Sequence, residues 1–584
     1  MRNDDSVIYS AAMETKLYGE IAPGGKWAVP LLLLALAVYV PGLWMYPLSD
    51  SESKYAEIPR EMVESGDWVQ PQLDYVPYLT KPPLSFWITA AWYKLGGVDE
   101  FGARLPNAIL AIALAFVLGA IARTLFGTRA STIAVVLSLT TAEFYVYTRE
   151  CGVEMALLFF MALVHHCFLR WQRTERKKWL VLAWASAAGA VLAKGPMGIL
   201  FPGLSIVLYL VITRQRGQFR RLFHPGGVLV FLALALPWPI AMAMRNPDFV
   251  WFAFVHETWF RVIGQRLPND ALYPTGLFLT LAAAEFFPWV QHLPHAVARG
   301  VREGRTSYEG HCIVYLLCWA LVPLVVFSIS KSKVDFYGLQ SYPGFLLLVT
   351  WLWDKRVQGG EHAPSKTLLA STFLVSAVLA AAAWYVFAFH GKDSFVAQLD
   401  LPKQRWMVDV FLRVAFAGNL FAGLLLLLQR PRSALLSIAL MMVSFFAIQQ
   451  VYFVERTSSA SMHFATQPYR AAMGPKTLLV TDERPEFAHL AVLPFYVNLG
   501  ANSGKHPAYM LRDVNGSALR FHDRNPQKSR VIDEIDLVRW VEDGRDVFLV
   551  GDPSQTGQRL RRLGFQAVRL GAGEDRAVYR IRRK

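Results

Sequence analysis

The stretch Cys312–Ser328, CIVYLLCWALVPLVVFS, decides the fold class, because it carries no charged side chain and approaches the length of a membrane span. A spanning helix needs about 20 mostly apolar residues. Working outward, similar runs follow at Gly338–Trp353, Leu368–Phe389, Val414–Leu428 and Ala434–Val454. Toward the N-terminus they recur at Gly276–Val290, Val228–Met244, Gly198–Ile212, Trp179–Ala193, Val153–Leu169, Ile133–Tyr147, Leu105–Ile121 and Trp27–Trp44. The pattern predicts a polytopic α-helical membrane protein of about thirteen spans. Composition agrees: of 584 residues, 54% are hydrophobic and 18% charged. A typical soluble chain is about 25% charged.

The formal net charge of +15 does not point to nucleic acid. The basic residues sit in short loops between apolar runs, which is how a membrane protein orients itself. If the N-terminus is cytoplasmic, every second loop should be basic. Those loops carry Arg123 and Arg129; Arg170, Arg173 and Arg176 to Lys178; Arg214, Arg216, Arg220 and Arg221; Arg299, Arg302 and Arg305; Lys355 and Arg356; Arg430 and Arg432. An odd number of spans then puts the C-terminal part outside. Trp27–Trp44 follows a long polar stretch without a small-residue cleavage site, so it reads as a retained first span. Cys151, Cys167, Cys312 and Cys318 lie in or beside apolar runs without metal-ligand or redox spacing.

Two parts are expected: a transmembrane part at 1–455 and a soluble α/β domain at 456–584. In the second, Thr477–Thr481, Asp546–Val550 and Ala577–Ile581 read as strands, and Ile532, Ile535 and Val538 recur at helical spacing. The longest external loop, 47–104, is too polar to span and too aromatic for a plain linker. Within it Ser53–Glu64 suits a short helix lying at the interface.

That loop reads LSDSESKYAEIPREMVESGDWVQP from Leu48 to Pro71, then YLTKPPLSFW from Tyr78 to Trp87. Asp50 and Glu52 follow directly on the first span. They are either solvated interfacial carboxylates or a general base or polar anchor at the bilayer surface. Lys81, stiffened by two prolines, is either a snorkelling lysine or a phosphate ligand. Arg261 in HETWFR (His256–Arg261) and Lys331 and Lys333 in SISKSKVDFY (Ser328–Tyr337) bring cations from two further loops. A lipid phosphate needs such a cluster, since a leaving phosphate must have its charge stabilised away from water.

Together these motifs resemble the polyprenol-phosphate-dependent glycosyltransferases of the GT-C superfamily. The nearest likeness is to the bacterial aminoarabinose transferases that modify lipid A, related to the protein O-mannosyltransferases. The likeness is carried, in order, by Glu52, Tyr55, Ala56, Glu57, Arg60, Glu61, Met62, Gly66, Asp67 and Trp68, then Lys81-Pro82-Pro83. Arg149 and Glu154 resemble the family's second acidic site, and LAKGP (Leu192–Pro196), HETWFR and SISKSKVDFY complete the series. Relatives usually carry adjacent Asp-Glu in the first motif. Here Ser51 precedes Glu52 and the aspartate is Asp50; Glu52, three residues before Tyr55, matches the family register and is favoured, with Asp50 as its partner or alternative. Lys54 stands where Arg is common. Some relatives carry Glu before the K-P motif, where with a histidine like His256 it can hold a divalent metal. Thr80 stands there, so metal dependence stays open, with His256 as the candidate ligand.

The resemblance implies transfer of a sugar from an undecaprenyl-phosphate-type donor, with inversion, to a lipid A, other glycan or protein acceptor at the external face of a bacterial inner membrane. It implies Asp50 or Glu52 orienting or deprotonating the acceptor, with Glu154 completing the acidic rim. Lys81, Arg261, Lys54, Lys333 and Tyr337 would hold the donor phosphate. The alternatives are a transporter or flippase of lipid-linked sugars, or a protein O-mannosyltransferase.

Overall fold

The computed structural model describes residues 25–73, 76–265, 273–302, 307–359, 364–390, 405–460, 477–481, 508–511, 531–551, 553–572 and 577–582. Each of the thirteen apolar runs contains helix. By length and composition alone six of these helices can cross a membrane unaided, and a bent pair, Thr128–Leu139 with Ala142–Thr148, makes a seventh. The others are short or interrupted: Trp27–Tyr39, Met197–Ile212, Thr275–Glu285 and Leu369–Tyr385 are apolar but only 10–17 residues long. The protein is a multi-pass membrane protein. Exposed leucines and valines on its outer helices, such as Leu229, Leu424 and Leu436, suit lipid contact.

The bundle core is dominated by large aromatics: Trp289, Trp319, Trp351 and Trp353 are almost wholly buried. Trp289 Nε1 donates to the Leu137 carbonyl at 3.1 Å. That carbonyl lies at the break between Thr128–Leu139 and Ala142–Thr148, which bend by 63°. The same carbonyl also accepts from the Thr140 N–H at 3.3 Å and the Thr141 hydroxyl at 2.8 Å, so the backbone at the break is satisfied locally, with Trp289 adding a donor from a neighbouring segment, as a low-dielectric interior requires.

The loop at 47–104 is not draped on the surface. The expected short helix is present, spans Asp50–Ser65 and ends at Gly66, whose φ of 72° is the left-handed cap conformation that glycine adopts freely. It is packed on several sides. Ala56, Ile58 and Met62 are buried, and so are Glu52, Ser53, Glu57 and Glu61. Its charges are tolerated because they are paired. Arg60 reaches Glu57 at 2.7 Å and Glu64 at 2.6 Å. A second helix, Leu84–Gly96, lies against it, sharing a core of Ile58, Met62, Leu73, Tyr78, Phe86 and Ala90.

The C-terminal part forms a six-stranded sheet. Its order is Val531–Ile532, Ala508–Leu511, Leu478–Thr481, Val547–Gly551, Ala577–Arg582, Gln566–Ala572. The first four strands are parallel and the last two antiparallel. The three predicted strands are present within a residue or two. The predicted helical face is corrected: Ile532 is in a strand and Ile535 is 67% exposed, while Leu537 and Val541 face the core of helix Glu534–Glu542. The membrane helix starting at Pro431 runs to Ala460, past the expected boundary at 455. The sheet also packs on the loop helix, where Leu479, Phe548, Val550 and Val578 share one apolar cluster with Leu48, Ala56, Tyr93, Ala103 and Cys151.

Candidate functional site

Two ionic groups flank the loop helix, and they differ in how far their hydrogen-bonding capacity is used. The first surrounds Glu52. Ser49 precedes the helix and Glu52 is its third residue, so the Ser49 N–H donates back to Glu52 Oε2 at 2.9 Å. Arg104, fully buried in helix Glu100–Phe126, adds a two-pronged contact. Its Nε donates to Oε1 at 2.9 Å and its Nη2 to Oε2 at 3.0 Å. The Cys151 N–H donates to Oε1 at 3.2 Å. The remaining Arg104 protons go to the carbonyls of Leu43, Tyr46 and Pro47 at 2.8–3.0 Å. A guanidinium has five N–H donors, and all are engaged. The Tyr46 ring lies under it at 3.9 Å.

Glu52 is therefore a knot that ties the end of the first span to the loop helix. A carboxylate receiving four hydrogen bonds, two from a buried guanidinium, is poorly placed to accept a proton from substrate. The S-x-x-E spacing of Ser49 and Glu52 signals this capping arrangement in the sequence. Asp50 is the first residue of the same helix. Its side chain lies outside the described residues.

The second group gathers around Lys81. Arg261 follows a wide π-helical turn, Trp251–Trp259. Its Nη2 donates to Glu257 at 3.0 Å and its Nη1 to the Tyr337 hydroxyl at 2.8 Å. Glu154 opens helix Glu154–Thr174, and Lys194, from the LAKGP motif, closes on its two oxygens at 2.5 and 2.6 Å. The Lys194 ammonium also lies over the rings of Phe336 and Tyr337, at 5.2 and 5.3 Å. Gln340 Nε2 reaches Glu154 at 3.4 Å. Lys81 lies within electrostatic range of Arg261, Glu257, Lys194 and Glu154. Three cations thus face two carboxylates, each already held by one of the other cations. Among the described residues Lys81 has no ion pair. Burial first, and then Arg261, push its pKa down to about 7; Glu257 opposes them, followed by a smaller downward push from Lys194 and a smaller upward pull from Glu154.

Tyr55 joins this second group. Its ring stacks against Phe86 at 6.1 Å, and its hydroxyl feels Tyr78, Glu154, Arg261 and Tyr337. Burial raises its pKa well above the usual tyrosine range, which keeps it a neutral donor.

Of the residues expected at a phosphate site, Lys81, Arg261 and Tyr337 are brought together. Lys333 has other partners: its ammonium donates to the Thr275 hydroxyl at 2.9 Å and the Ser328 carbonyl at 3.1 Å. Lys54 lies over the Tyr55 ring at 5.1 Å, and neither lysine is among the largest influences on Lys81. His256 packs flat on Phe252 at 4.9 Å, with Nδ1 3.3 Å from Glu257. Among the described residues no three His, Cys, Asp or Glu side chains gather as metal ligands, so the metal alternative at His256 finds no supporting set. Lys194, Glu257 and Tyr55 were not assigned roles from sequence. The available signal was Lys194 itself, a charge at the end of an apolar run, which is costly unless it has a use.

Residues 80–240 match the family model of dolichyl-phosphate-mannose-protein mannosyltransferases. A solved structure of ArnT from Cupriavidus metallidurans, bound to undecaprenyl phosphate, superposes with a TM-score of 0.81. It is 26% identical, over 95% of this chain and 98% of that one. An undecaprenyl phosphate-α-4-amino-4-deoxy-L-arabinose arabinosyl transferase of Pseudomonas fluorescens Pf-5 is 29% identical over 53% of this chain and 54% of its own length. A second, from strain Pf0-1, is 31% identical over 58% and 62%. The chain thus spans little more than half the length of the curated relatives it matches. In fold and in the order of its motifs, the chain resembles the polyprenol-phosphate-dependent glycosyltransferases of the GT-C superfamily, and among them the aminoarabinose transferases.

Proposed function

We propose that this protein is an integral-membrane glycosyltransferase that moves a sugar from an undecaprenyl-phosphate-type donor to lipid A at the external face of the inner membrane. The observation that carries this reading is Lys81: a half-buried ammonium beside Arg261, with no carboxylate of its own among the described residues. Such a charge is costly unless something anionic comes to it. A phosphate monoester released from a polyprenyl-phosphate sugar has that chemistry, and the resemblance to ArnT bound to undecaprenyl phosphate points the same way.

In this reading Lys81 and Arg261 hold the phosphate. Arg261 is held in place by Glu257. The Tyr337 hydroxyl accepts from Arg261 and keeps its own proton to donate to a phosphate oxygen. The leaving phosphate's charge grows as the sugar–oxygen bond breaks, so these donors act most strongly in the transition state. Glu154 is neutralised by Lys194 and shapes the polar floor instead of acting as a base. Glu52 has a positioning role, which transfers the base assignment to Asp50 for a hydroxyl acceptor. A lipid A phosphate is nucleophilic already and needs no base. Thirteen crossings, a cytoplasmic N-terminus and an external C-terminal α/β domain complete the proposal, supported by the unbroken alternation of basic loops.

The test is transfer itself. Purified protein in vesicles, given undecaprenyl-phosphate-linked 4-amino-4-deoxyarabinose and lipid A, should yield lipid A heavier by one sugar in mass spectrometry. Loss of donor with no modified acceptor, and recovery of intact donor across the bilayer, would replace the enzyme with a transporter.

A further inference from the structure

At the other end of the bundle is a cavity of about 390 Å³ that has no part in the transfer site. Arg356, Gln429, Arg430, Pro431, Arg432 and Ser433 are among its lining residues. It joins two loops that are far apart in sequence, the end of helix Tyr342–Gln358 and the turn between helices Arg405–Leu427 and Pro431–Ala460. Tyr342 lies two residues past Gln340, which touches Glu154. A helix rises about 1.5 Å per residue, so this pocket is roughly 25 Å from the transfer site, at the opposite membrane face.

Three guanidiniums line this pocket, and among the described residues none of Arg356, Arg430 and Arg432 has an ion pair. Asp354, close to Arg356 in sequence, is occupied by Arg129 at 2.7 Å, and Glu309 by Lys355. Arg356 Nη1 reaches the Pro364 carbonyl only at 3.5 Å, and its buried Nε has no hydrogen-bond partner. The helix starting at Pro431 adds to the field. Arg432 and Ser433 lie in its first turn, where N–H groups have no acceptor within the helix, at the positive end of its dipole.

Orienting charges alone require no pocket and no convergence of two loops. An anion does. The surroundings indicate which anion. Leu424 and Leu428 on one helix and Leu436 and Leu440 on the next are 43%, 68%, 60% and 59% exposed, at one-turn spacing on either side of the arginine turn. A soluble phosphate gains nothing from those side chains, whereas acyl chains do.

We propose that this cavity is a seat for the phosphodiester headgroup of an anionic phospholipid from the leaflet opposite the transfer site, with its acyl chains along Leu424, Leu428, Leu436 and Leu440. Arginine suits the task because its planar fork matches phosphate oxygens, and basic pockets between membrane helices bind such headgroups.

The experiment compares the full-length protein in phosphatidylcholine alone, with added phosphatidylglycerol or cardiolipin, and with inorganic phosphate. Native mass spectrometry reads retained lipid, and thermal unfolding reads stabilisation. Anionic lipid should be retained selectively and should raise Tm. The triple variant Arg356→Gln, Arg430→Gln, Arg432→Gln should bind it at least roughly tenfold more weakly. A control with Arg220→Gln and Arg221→Gln, basic residues away from the pocket, should behave as wild type. If the triple variant unfolds early in phosphatidylcholine, Arg356→Gln alone takes its place. Equal lipid retention by wild type and pocket variants overturns the proposal. So does stabilisation by inorganic phosphate that matches that of the lipid, which would make the cavity a free-anion site.

Discussion

The Glu52–Arg104 knot and the Lys81–Arg261 cluster both draw on the 47–104 loop and both set carboxylates against cations, yet they are arranged in opposite ways. In the knot every donor of Arg104 and four hydrogen bonds to Glu52 are internal. In the cluster the carboxylates are matched and one cation, Lys81, is left over. A saturated ionic group holds a fold together and has nothing to offer a ligand. An unsaturated one lowers stability and gains its partner on binding. In the proposed function, the difference separates the residues that position the loop from those assigned to the donor phosphate.

The largest effect should come from the knot. Glu52→Ala leaves a buried guanidinium uncompensated, which should cost about 3–5 kcal/mol. Thermal unfolding in detergent should show a large drop in Tm together with loss of transfer. Normal stability with lost transfer would restore Glu52 as a catalytic base. In the cluster, Arg261→Ala removes a charge-assisted contact to the phosphate and should lower donor use about tenfold to a hundredfold, or about 1.5–3 kcal/mol. Steady-state transfer at varied donor concentration checks it.

The third effect is a pH dependence. The free protein holds Lys81 with a pKa near 7, well below an exposed lysine, so the ammonium is present below that pH and lost above it. Phosphate binding needs the ammonium. Donor affinity should therefore be flat below about pH 6 and fall by up to about tenfold per unit above pH 7. Lys81→Arg keeps its charge throughout and should flatten the profile. An unchanged profile in that variant would detach the pH dependence from Lys81. The smallest effect belongs to Lys333→Ala. Its ammonium already bonds Thr275 and Ser328, so donor affinity should stay within about twofold, or about 0.4 kcal/mol.

Much of the helical segmentation was legible because lipid imposes a simple rule on composition. All thirteen apolar runs contain helix. Their breaks were less legible, since the 63° bend after Leu139 falls inside a single apolar run, Ile133–Tyr147. Lys81, Arg261 and Tyr337 could be picked out because their motifs place charges and a hydroxyl in polar segments between apolar runs. The pairing among them could not. Glu52 finds Arg104, and Glu154 finds Lys194, only through tertiary packing across 52 and 40 residues. Family register favoured Glu52 over Asp50 as the key carboxylate. The structure gives another reason for glutamate at that position, which is to cap the loop helix and neutralise Arg104.

The contrast between the two ionic groups is tested most directly at Lys81. Lys81→Met keeps the length of the side chain and removes its charge. Titration of the purified variant with undecaprenyl phosphate, alongside thermal unfolding of the same sample, separates the two roles. The predicted result is affinity weakened about tenfold to a hundredfold, with Tm unchanged or raised because an unpaired, poorly solvated cation is gone. Affinity equal to wild type, or a fall in Tm as large as that of Glu52→Ala, would contradict it.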